Sequence, residues 1–416
     1  MSPAGFCVLK RWRRLICWLA AAAALLPVTS GAASPENSEW GRVVEMARGQ
    51  TVDWYMWGGS PAVNAYVNGF VAERLESLYG ITLRQAPVQD IAEVVGKLVI
   101  EKQAGKLTGG GVDLMWINGE NFRTAKRNGL LFGPFADRLP HHELVDWSKP
   151  SVYNDFGTPV EGMESPWGSA QVVMIYDTAR TPEPPRTIAG LLDWIRSHPG
   201  RFTYPAPPDF TGSVFVRHVF YHVSGGPGPW QDGYSDADFE KAAGETYRVL
   251  KEIAPFLWRE GKTYPESPVR MNNLFADGEV DFSFTYHPGE ASRNILDGLF
   301  PDTVRTFVFD EGTIANTHFV AIPFNAADKS GAMVTADFLL SPEAQLKKAD
   351  PAVWGDLPAI DPSRLDGEWQ SRFRSLPRGP ATLPEVELQA RQLPEPPSDI
   401  LIRLEKGWET HVLKGR

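Results

Sequence analysis

The 416-residue sequence predicts an α/β protein of two lobes, each a mostly parallel sheet covered by helices. The first observation is that strand-like segments alternate with amphipathic helical segments across short loops. The second is that this alternation occurs in two separate blocks, which suits a chain too long for one core. With 43% apolar and 22% charged residues, composition excludes a mainly disordered chain. The formal charge of −10 argues against a nucleic-acid partner.

The N-terminus has the three-part order of a secretory signal peptide. A basic cluster that includes Lys10 and Arg14 precedes an apolar run over residues 15–26, and small residues follow up to Ala33. The run is shorter than the roughly 20 residues of a membrane-spanning helix, so a retained anchor is the less favoured alternative. We therefore expect residues 1–33 to be removed.

Export determines the expected location and the cysteine content. Cys7 and Cys17 both lie in the removed segment, so disulfides and thiolate sites are excluded from the exported chain. Removal of four positive charges takes the formal charge from −10 to −14. Neither cysteine follows the small-residue motif that precedes a lipid-modified cysteine. The sequence thus predicts a free, soluble periplasmic protein with no direct membrane insertion.

The first block begins with an aromatic strand at residues 51–57. Ser60 is the predicted N-cap of a helix that has Pro61 in its first turn and ends at Gly80. A strand at 81–88, a helix at 91–103 and a strand at 112–117 follow, and another helix starts after Asn118 and Gly119. Both sheet faces should therefore be covered by helices.

The second block repeats the alternation with longer helices. Strands are predicted at 171–176, 201–204, 280–286, 306–309 and 318–322, and helices at 188–198, 214–223, 236–257 and 332–340. Thr187 is expected to cap the first of these helices. The proline-rich segment 357–397 should wrap a surface, and Ser398 is expected to cap a last helix that runs through Trp408.

Candidate ligand groups lie in loops that follow strands or open helices, where ligands gather in α/β sheets. Glycines there permit close backbone approach, helix starts present N–H donors, and amides and aromatic rings recognise polar organic solutes. The predicted ligand-binding residues are Trp57, Gly59, Ser60, Trp116, Asn118, Asn121, Trp167, Ser169, Phe210, Thr211, Gly212, Ser213 and Tyr286. Each also has a structural alternative as a turn glycine, a helix cap or a core aromatic.

Few sequence features indicate catalysis. Nucleophile-elbow, phosphate-loop and dinucleotide motifs are not found. His218 and His222 stand four residues apart on one helix, but they lack the glutamate of the zinc-protease motif and are better explained as structural. We predict no catalytic residue, no cofactor and no metal site, and hence a protein that is not an enzyme.

An ordered set of segments resembles a known family. These are W-G-G-S after the first strand, V-D-L-M-W-I, S-P-W-G-S-A-Q-V-V-M-I-Y-D, the T-G-S helix start, N-N-L-F-A-D-G-E-V-D-F-S-F and F-L-L-S-P-E-A-Q. Together with the signal peptide, the set resembles extracytoplasmic solute-binding proteins of ABC importers, and most closely the YnjB-like branch. The resemblance covers nearly all of the exported chain.

The resemblance implies a two-lobed periplasmic-binding-protein fold, type II-like, with crossing strands near 171–176 and 306–320. The N-terminal lobe would comprise residues 34–172 and 308–416, and the second lobe residues 173–307. The lobes would close on a ligand like a hinged trap. The resemblance also implies ABC permease subunits as partners and a monomeric state. It raises thiamine-type, polyamine and metal ligands, although the paired adjacent tyrosines of ferric-ion binders are not seen.

These observations predict capture of a small polar or charged solute and its delivery to a membrane permease. Helix starts favour an anionic group, whereas Asp113, Glu120, Asp209 and Glu290 near the same loops favour a cation. A zwitterion, or a cationic ring that carries a phosphate, would satisfy both, and thiamine-like and other zwitterionic or cationic solutes are the candidates. The alternatives are a secreted hydrolase that uses the same cleft and an interaction protein that uses the proline-rich tail.

Overall fold

The computed structural model describes residues 39–231 and 233–415. The predicted signal peptide lies outside these residues. Within them, no helix combines the length and the apolar character needed to cross a membrane.

The described chain contains eleven strands and seventeen α-helices. The strands are β1 (Thr51–Trp57), β2 (Thr82–Val88), β3 (Leu114–Ile117), β4 (Asn154–Asp155), β5 (Thr158–Pro159), β6 (Glu164–Gln171), β7 (Val173–Asp177), β8 (Phe282–Thr285), β9 (Val304–Phe307), β10 (Thr313–Ala321) and β11 (Gln392–Pro394). The helices are α1 (Glu39–Ala47), α2 (Pro61–Ala65), α3 (Ala72–Tyr79), α4 (Ala92–Gln103), α5 (Gly119–Arg127), α6 (Pro150–Tyr153), α7 (Ile188–Ser197), α8 (Phe210–Ser224), α9 (Gly228–Gln231), α10 (Asp236–Ile253), α11 (Pro268–Ala276), α12 (Glu290–Leu296), α13 (Lys329–Leu339), α14 (Pro342–Ala349), α15 (Gly367–Arg374), α16 (Glu385–Gln389) and α17 (Ser398–Trp408).

The helix after β1 begins and ends as its sequence predicts. Ser60 Oγ accepts a hydrogen bond from the Val63 amide at 3.4 Å, which satisfies one free N–H of the first turn. A π-helical stretch, Tyr66–Val71, joins α2 to α3. Gly80 ends α3 with a left-handed φ of 65°, a conformation that glycine adopts without strain.

The first sheet has the order β11–β10–β3–β1–β2, and β6 also pairs with β10. The pairs β1–β2, β1–β3 and β10–β11 are parallel, whereas β10 runs antiparallel to both β3 and β6. The expected mostly parallel pairing is therefore found in this sheet.

The second sheet has the order β8–β7–β9 and differs from the expectation, because β7 is antiparallel to both neighbours. The predicted strand at 201–204 is wrong: this segment forms no strand, although Phe202 and Tyr204 are fully buried. Their apolar side chains pack in the second core, so burial accounts for the apolar pattern without sheet pairing. The predicted strand at 171–176 is divided between β6 and β7, which belong to different sheets.

The chain passes between the sheets at both predicted crossings, from β6 to β7 and from β9 to β10. One core is built from residues of segments 43–167 and 320–365. The other combines residues of 170–314 with Ile400, Leu404, Trp408 and Val412. We call the part of the chain around the first core the first unit and the part around the second core the second unit. Thus α17 packs with the second unit, although the predicted boundaries assigned residues 308–416 to the N-terminal lobe. Its N-cap position is Pro397 rather than Ser398, and no side chain caps it.

Candidate functional site

A cluster of aromatic rings lies where β3, β6 and β10 meet. Trp116 on β3 packs edge-to-face against Trp167 on β6, with ring centroids 4.9 Å apart. The His318 ring on β10 is also 4.9 Å from Trp116, and Trp354 stacks nearly parallel to His318 at 6.2 Å. The structure therefore brings together two predicted ligand-binding tryptophans, but Trp167 is fully buried and serves as a core ring.

Ionisable side chains border this aromatic cluster. Asp356 Oδ2 accepts from the buried Lys348 Nζ at 2.9 Å, and Lys348 also donates to the Trp167 carbonyl. Asp356 Oδ1 lies 3.4 Å from His318 Nε2 and 3.6 Å from His287 Nδ1. Burial lowers the pKa of His318, so its ring is favoured in the neutral form. Despite burial, Lys348 and His318 hold the pKa of Asp356 well below its ordinary value.

A second aromatic group opens to solvent at the start of α8. The Phe210 ring, 42% exposed, stacks on Tyr286 at 4.9 Å, and the Arg217 guanidinium lies 5.0 Å from its centroid. Phe156, from the other unit, is 6.1 Å away. Phe210 and Tyr286 of one unit and Phe156 of the other therefore lie around the same solvent-accessible space.

Buried Glu395 connects the polar groups behind these rings. It forms an ion pair with buried Arg217. Its Oε1 accepts from the Tyr286 hydroxyl at 2.7 Å and from Asn316 Nδ2 at 3.0 Å. Glu395 follows β11, so the tail segment supplies the main anion of this site.

Further carboxyl groups from both units influence one another here. Burial raises the pKa of Glu405 to about 7; Ser213 and Arg217 lower it, whereas Glu120 and Asp90 raise it further. Burial also raises the pKa of Glu120, and the negative charges of Asp90 and Glu395 add to this. Arg217 acts on both Glu120 and Glu405, but the remaining negative charges still repel one another, and a bound cation would relieve this repulsion.

The predicted Thr-Gly-Ser start of α8 lies inside this group. The helix begins at Phe210 rather than near Val214, with the Asp209 carboxylate accepting from the Gly212 amide at 2.8 Å. Ser213 is buried, and its hydroxyl group lies close to the Glu405 carboxyl group, whose pKa it lowers. A Cβ on Gly212 would lie 1.9 Å from the Pro205 carbonyl oxygen, so close packing explains this glycine.

The remaining predicted residues have local partners. The Asn118 amide donates to the Thr317 carbonyl at 2.6 Å, its oxygen accepts from Trp116 Nε1, and Asn121 donates to Glu120. The Ser169 hydroxyl donates to the Pro358 carbonyl at 3.4 Å. Trp57 is 40% exposed, and its indole ring lies against Gly59. Ser60 caps α2, and Thr211 is partly buried in the first turn of α8.

His218 is structural, as predicted. Its Nε2 accepts from the Ile314 amide at 3.1 Å, so its Nδ1 donates to the Val214 carbonyl at 2.8 Å. Burial lowers its pKa to about 4. The ring therefore joins α8 to β10 and has no nitrogen available for a metal.

Sequence reasoning missed Arg217, Glu395, Glu405, His318 and Asp356. Arg217 carried a usable signal, since a single cation within the apolar stretch Val214–Val219 must find a buried acid. The others lie on β10 or in the C-terminal tail, far along the chain from the loops that suggested a site.

A surface cavity of about 400 Å³ lies elsewhere, between α10 and α17, and is lined by Tyr234, Asp399 and Arg403 among others. Its polar groups are already paired. Arg403 donates to Asp236 and Glu240 at 2.8 Å, and Tyr234 donates to Asp399. The group around Phe210 and Glu395 is therefore the better candidate site.

Comparison with known proteins agrees with this architecture. A family described as bacterial extracellular solute-binding protein matches residues 71–373. Protein YnjB of Escherichia coli strain K12 is 41% identical over 372 residues, which are 89% of this chain and 93% of that protein.

Two solved structures illustrate the shared two-lobed fold. A putative spermidine/putrescine ABC transporter protein from Listeria monocytogenes is 15% identical with a TM-score of 0.59, covering 86% of this chain and 98% of its own. A periplasmic thiamin binding protein is 16% identical with a TM-score of 0.59, covering 87% and 96%.

Proposed function

The chain belongs to the bacterial extracellular solute-binding protein family, and from this premise we propose that it captures a cationic organic solute between its two lobes for an ABC importer. The observation that carries the proposal is the group of carboxyl side chains from both units around Arg217, beside solvent-accessible Phe210. The solute would pass from the periplasm to the permease.

Charge supports a cation. Asp90 and Glu120 come from the first unit and Glu405 from the second, so closure brings like charges together. A cation between them would stabilise the closed arrangement, because a ligand shifts such an equilibrium only through its preference for one state. The neighbours described as spermidine/putrescine and thiamin proteins agree with a positively charged ligand.

The aromatic rings support an organic cation rather than a small ion. Phe210 and Tyr286 are stacked with an interplanar angle of 27°, and Phe210 leaves part of its ring exposed. Such a surface can stack on a heteroaromatic ring or attract an ammonium group. The buried Ser213 hydroxyl beside Glu405 offers a further polar group in the same place.

The test is a melting and calorimetric screen of the purified chain in the presence of a metal chelator. The ligands are spermidine, thiamine and an anionic comparison compound such as citrate. We expect at least one cation to raise the melting temperature and citrate to leave it unchanged. Native mass spectrometry of freshly purified protein would identify a retained solute directly.

Variants decide whether the ligand occupies this site. Phe210→Ala and Glu405→Gln should weaken cation binding by about tenfold or more, since each removes a contact of roughly 1.4 kcal/mol or more. Glu183→Gln, at an exposed acid of the same type, should not change it. Unchanged affinity in both site variants, or stabilisation by citrate alone, would contradict the proposal. The hydrolase alternative is not favoured by the family and would require turnover by the purified protein.

A further inference from the structure

A separate group of side chains, His287, His318 and Asp356, has the composition and spacing of a metal site. Their ligand atoms all lie within 4.8 Å of one another. The three residues come from three different parts of the chain: the segment after β8, strand β10 and the loop after α14. The fold therefore gathers them without any local sequence motif.

The three atoms that face one another have no hydrogen-bond partner. Nδ1 of His287, Nε2 of His318 and Oδ1 of Asp356 are all buried and unsatisfied. The residue exposures of His318 and Asp356 are 6% and 1%, so bulk water does not replace the missing bonds. Leaving one such buried atom without a hydrogen bond costs free energy of folding. Three such atoms in one place indicate that a bound group contacts all three of them.

The spacing suits a tetrahedral metal ion. Bonds of about 2.1 Å in tetrahedral geometry separate neighbouring ligand atoms by about 3.4 Å. Asp356 Oδ1 is 3.4 Å from the nitrogen of His318 and 3.6 Å from that of His287. Two imidazoles and one carboxylate are a common zinc ligand set that leaves a fourth position open.

The surrounding residues orient these ligands. Lys348 occupies the other oxygen of Asp356, so only Oδ1 is free and the carboxylate would bind through one atom. The rings of Trp116 and Trp354 pack against His318 and fix its plane. The side chain of His287 is the most exposed of the three ligands, at 21%.

We propose that His287, His318 and Asp356 bind one divalent first-row transition metal ion of the zinc type, which links the segment after β8 to β10 and the tail. The site shares none of the side chains of the proposed cation cleft, although His287 directly follows Tyr286 in the chain. Its binding can be measured when no solute is present.

The experiment titrates Zn²⁺ into chelator-stripped protein against a competing zinc indicator, and Co²⁺ in parallel by its visible absorption. We expect one tight equivalent of Zn²⁺, a tetrahedral Co²⁺ spectrum, and a change in tryptophan fluorescence because Trp116 and Trp354 adjoin the ligands. His287→Gln and His318→Gln should each weaken binding by at least about tenfold, the loss seen even for residues that only support a metal ligand.

His198→Gln is the matched control, since His198 is exposed and stacks on Trp194 at 4.3 Å, outside the proposed site. If His318→Gln does not fold, the partly exposed His287→Gln carries the test, with circular dichroism as the folding check. Equal zinc affinity in wild type and His287→Gln, or no bound equivalent, would mean that the three atoms share only a water molecule and would overturn the proposal. Solute binding is measured in the presence of chelator and metal binding in the absence of solute. Failure of the proposed function and failure of the metal-site proposal can therefore be told apart.

Discussion

Glu405 is the residue whose charge state matters most for the proposed ligand. Burial raises its pKa to about 7, compared with an ordinary value of 4.5. A raised folded-state pKa means that folding favours the protonated carboxyl group. The resulting stability is complete below pH 4.5 and is lost as the pH rises through about 7. Ligand binding should have the opposite dependence, because a cation needs the ionised form.

We therefore expect affinity for the cationic ligand to increase by about fivefold between about pH 6 and about pH 8, which corresponds to ~1 kcal/mol of charge interaction. Isothermal calorimetry at several pH values measures this. In Glu405→Gln the dependence should flatten, and the free protein should become more stable than wild type at pH 8. A wild-type affinity that is constant across this range would contradict the role of Glu405.

At the scale of single elements, three helix ends were predicted from local signals, whereas the starts of α8 and α17 were placed too late. Ser60, Gly80 and Thr187 cap or end helices because each signal acts within a few residues, and the structure confirms all three. Phe202 and Tyr204 misled the prediction because buried aromatic residues without regular structure have the same pattern as a short strand.

The site was less predictable than the fold for a related reason. Its loops were identified from glycines and helix starts, and Phe210, Ser213 and Tyr286 do lie together. The side chains that complete the two sites come from separate segments: α5, the stretch after β8, β10, the loop after α14 and the C-terminal tail. Sequence spacing contains no information about which distant segments meet, so these partners could not be assigned.

The start of α8 provides a test of close packing. In Gly212→Ala, the added Cβ would lie 1.9 Å from the carbonyl oxygen of Pro205, and backbone atoms cannot move aside cheaply. We expect destabilisation by about 1–3 kcal/mol, measured by urea unfolding. Gly244→Ala in α10 is the control: its Cβ meets nothing within 4 Å, and alanine should stabilise that helix by roughly 0.5–1 kcal/mol. Equal effects of the two substitutions would show that packing at Pro205 is unimportant.

At the scale of the whole molecule, the C-terminal helix connects the two units. Trp408 is fully buried in the second core and donates from Nε1 to the Tyr204 hydroxyl at 3.0 Å. On the other side, Arg123 of the first unit pairs with Asp399 at 3.4 Å, and the Ser398 amide donates to the Phe156 carbonyl. The tail therefore contributes to both the stability and the relative placement of the units.

Trp408→Ala should lower the free energy of unfolding by about 3–5 kcal/mol, because it leaves a large cavity and removes the hydrogen bond to the Tyr204 hydroxyl. Ile402→Ala on the same helix, where the side chain is 46% exposed, should cost far less. Chemical denaturation followed by tryptophan fluorescence and circular dichroism compares them. Similar losses in the free energy of unfolding for both variants would contradict the prediction, because they would show that burial of the Trp408 side chain does not stabilise the helix.

The arrangement of the first sheet has a consequence for the order of events during synthesis. Strand β3 pairs with β1 early in the chain, but its second neighbour is β10, almost 200 residues later, and β10 in turn pairs with β11 near the end of the chain. A nascent chain that ends before residue 313 therefore has β3 as an open edge. Such a chain cannot complete the sheet of its first lobe, because β10 and β11 are not yet present.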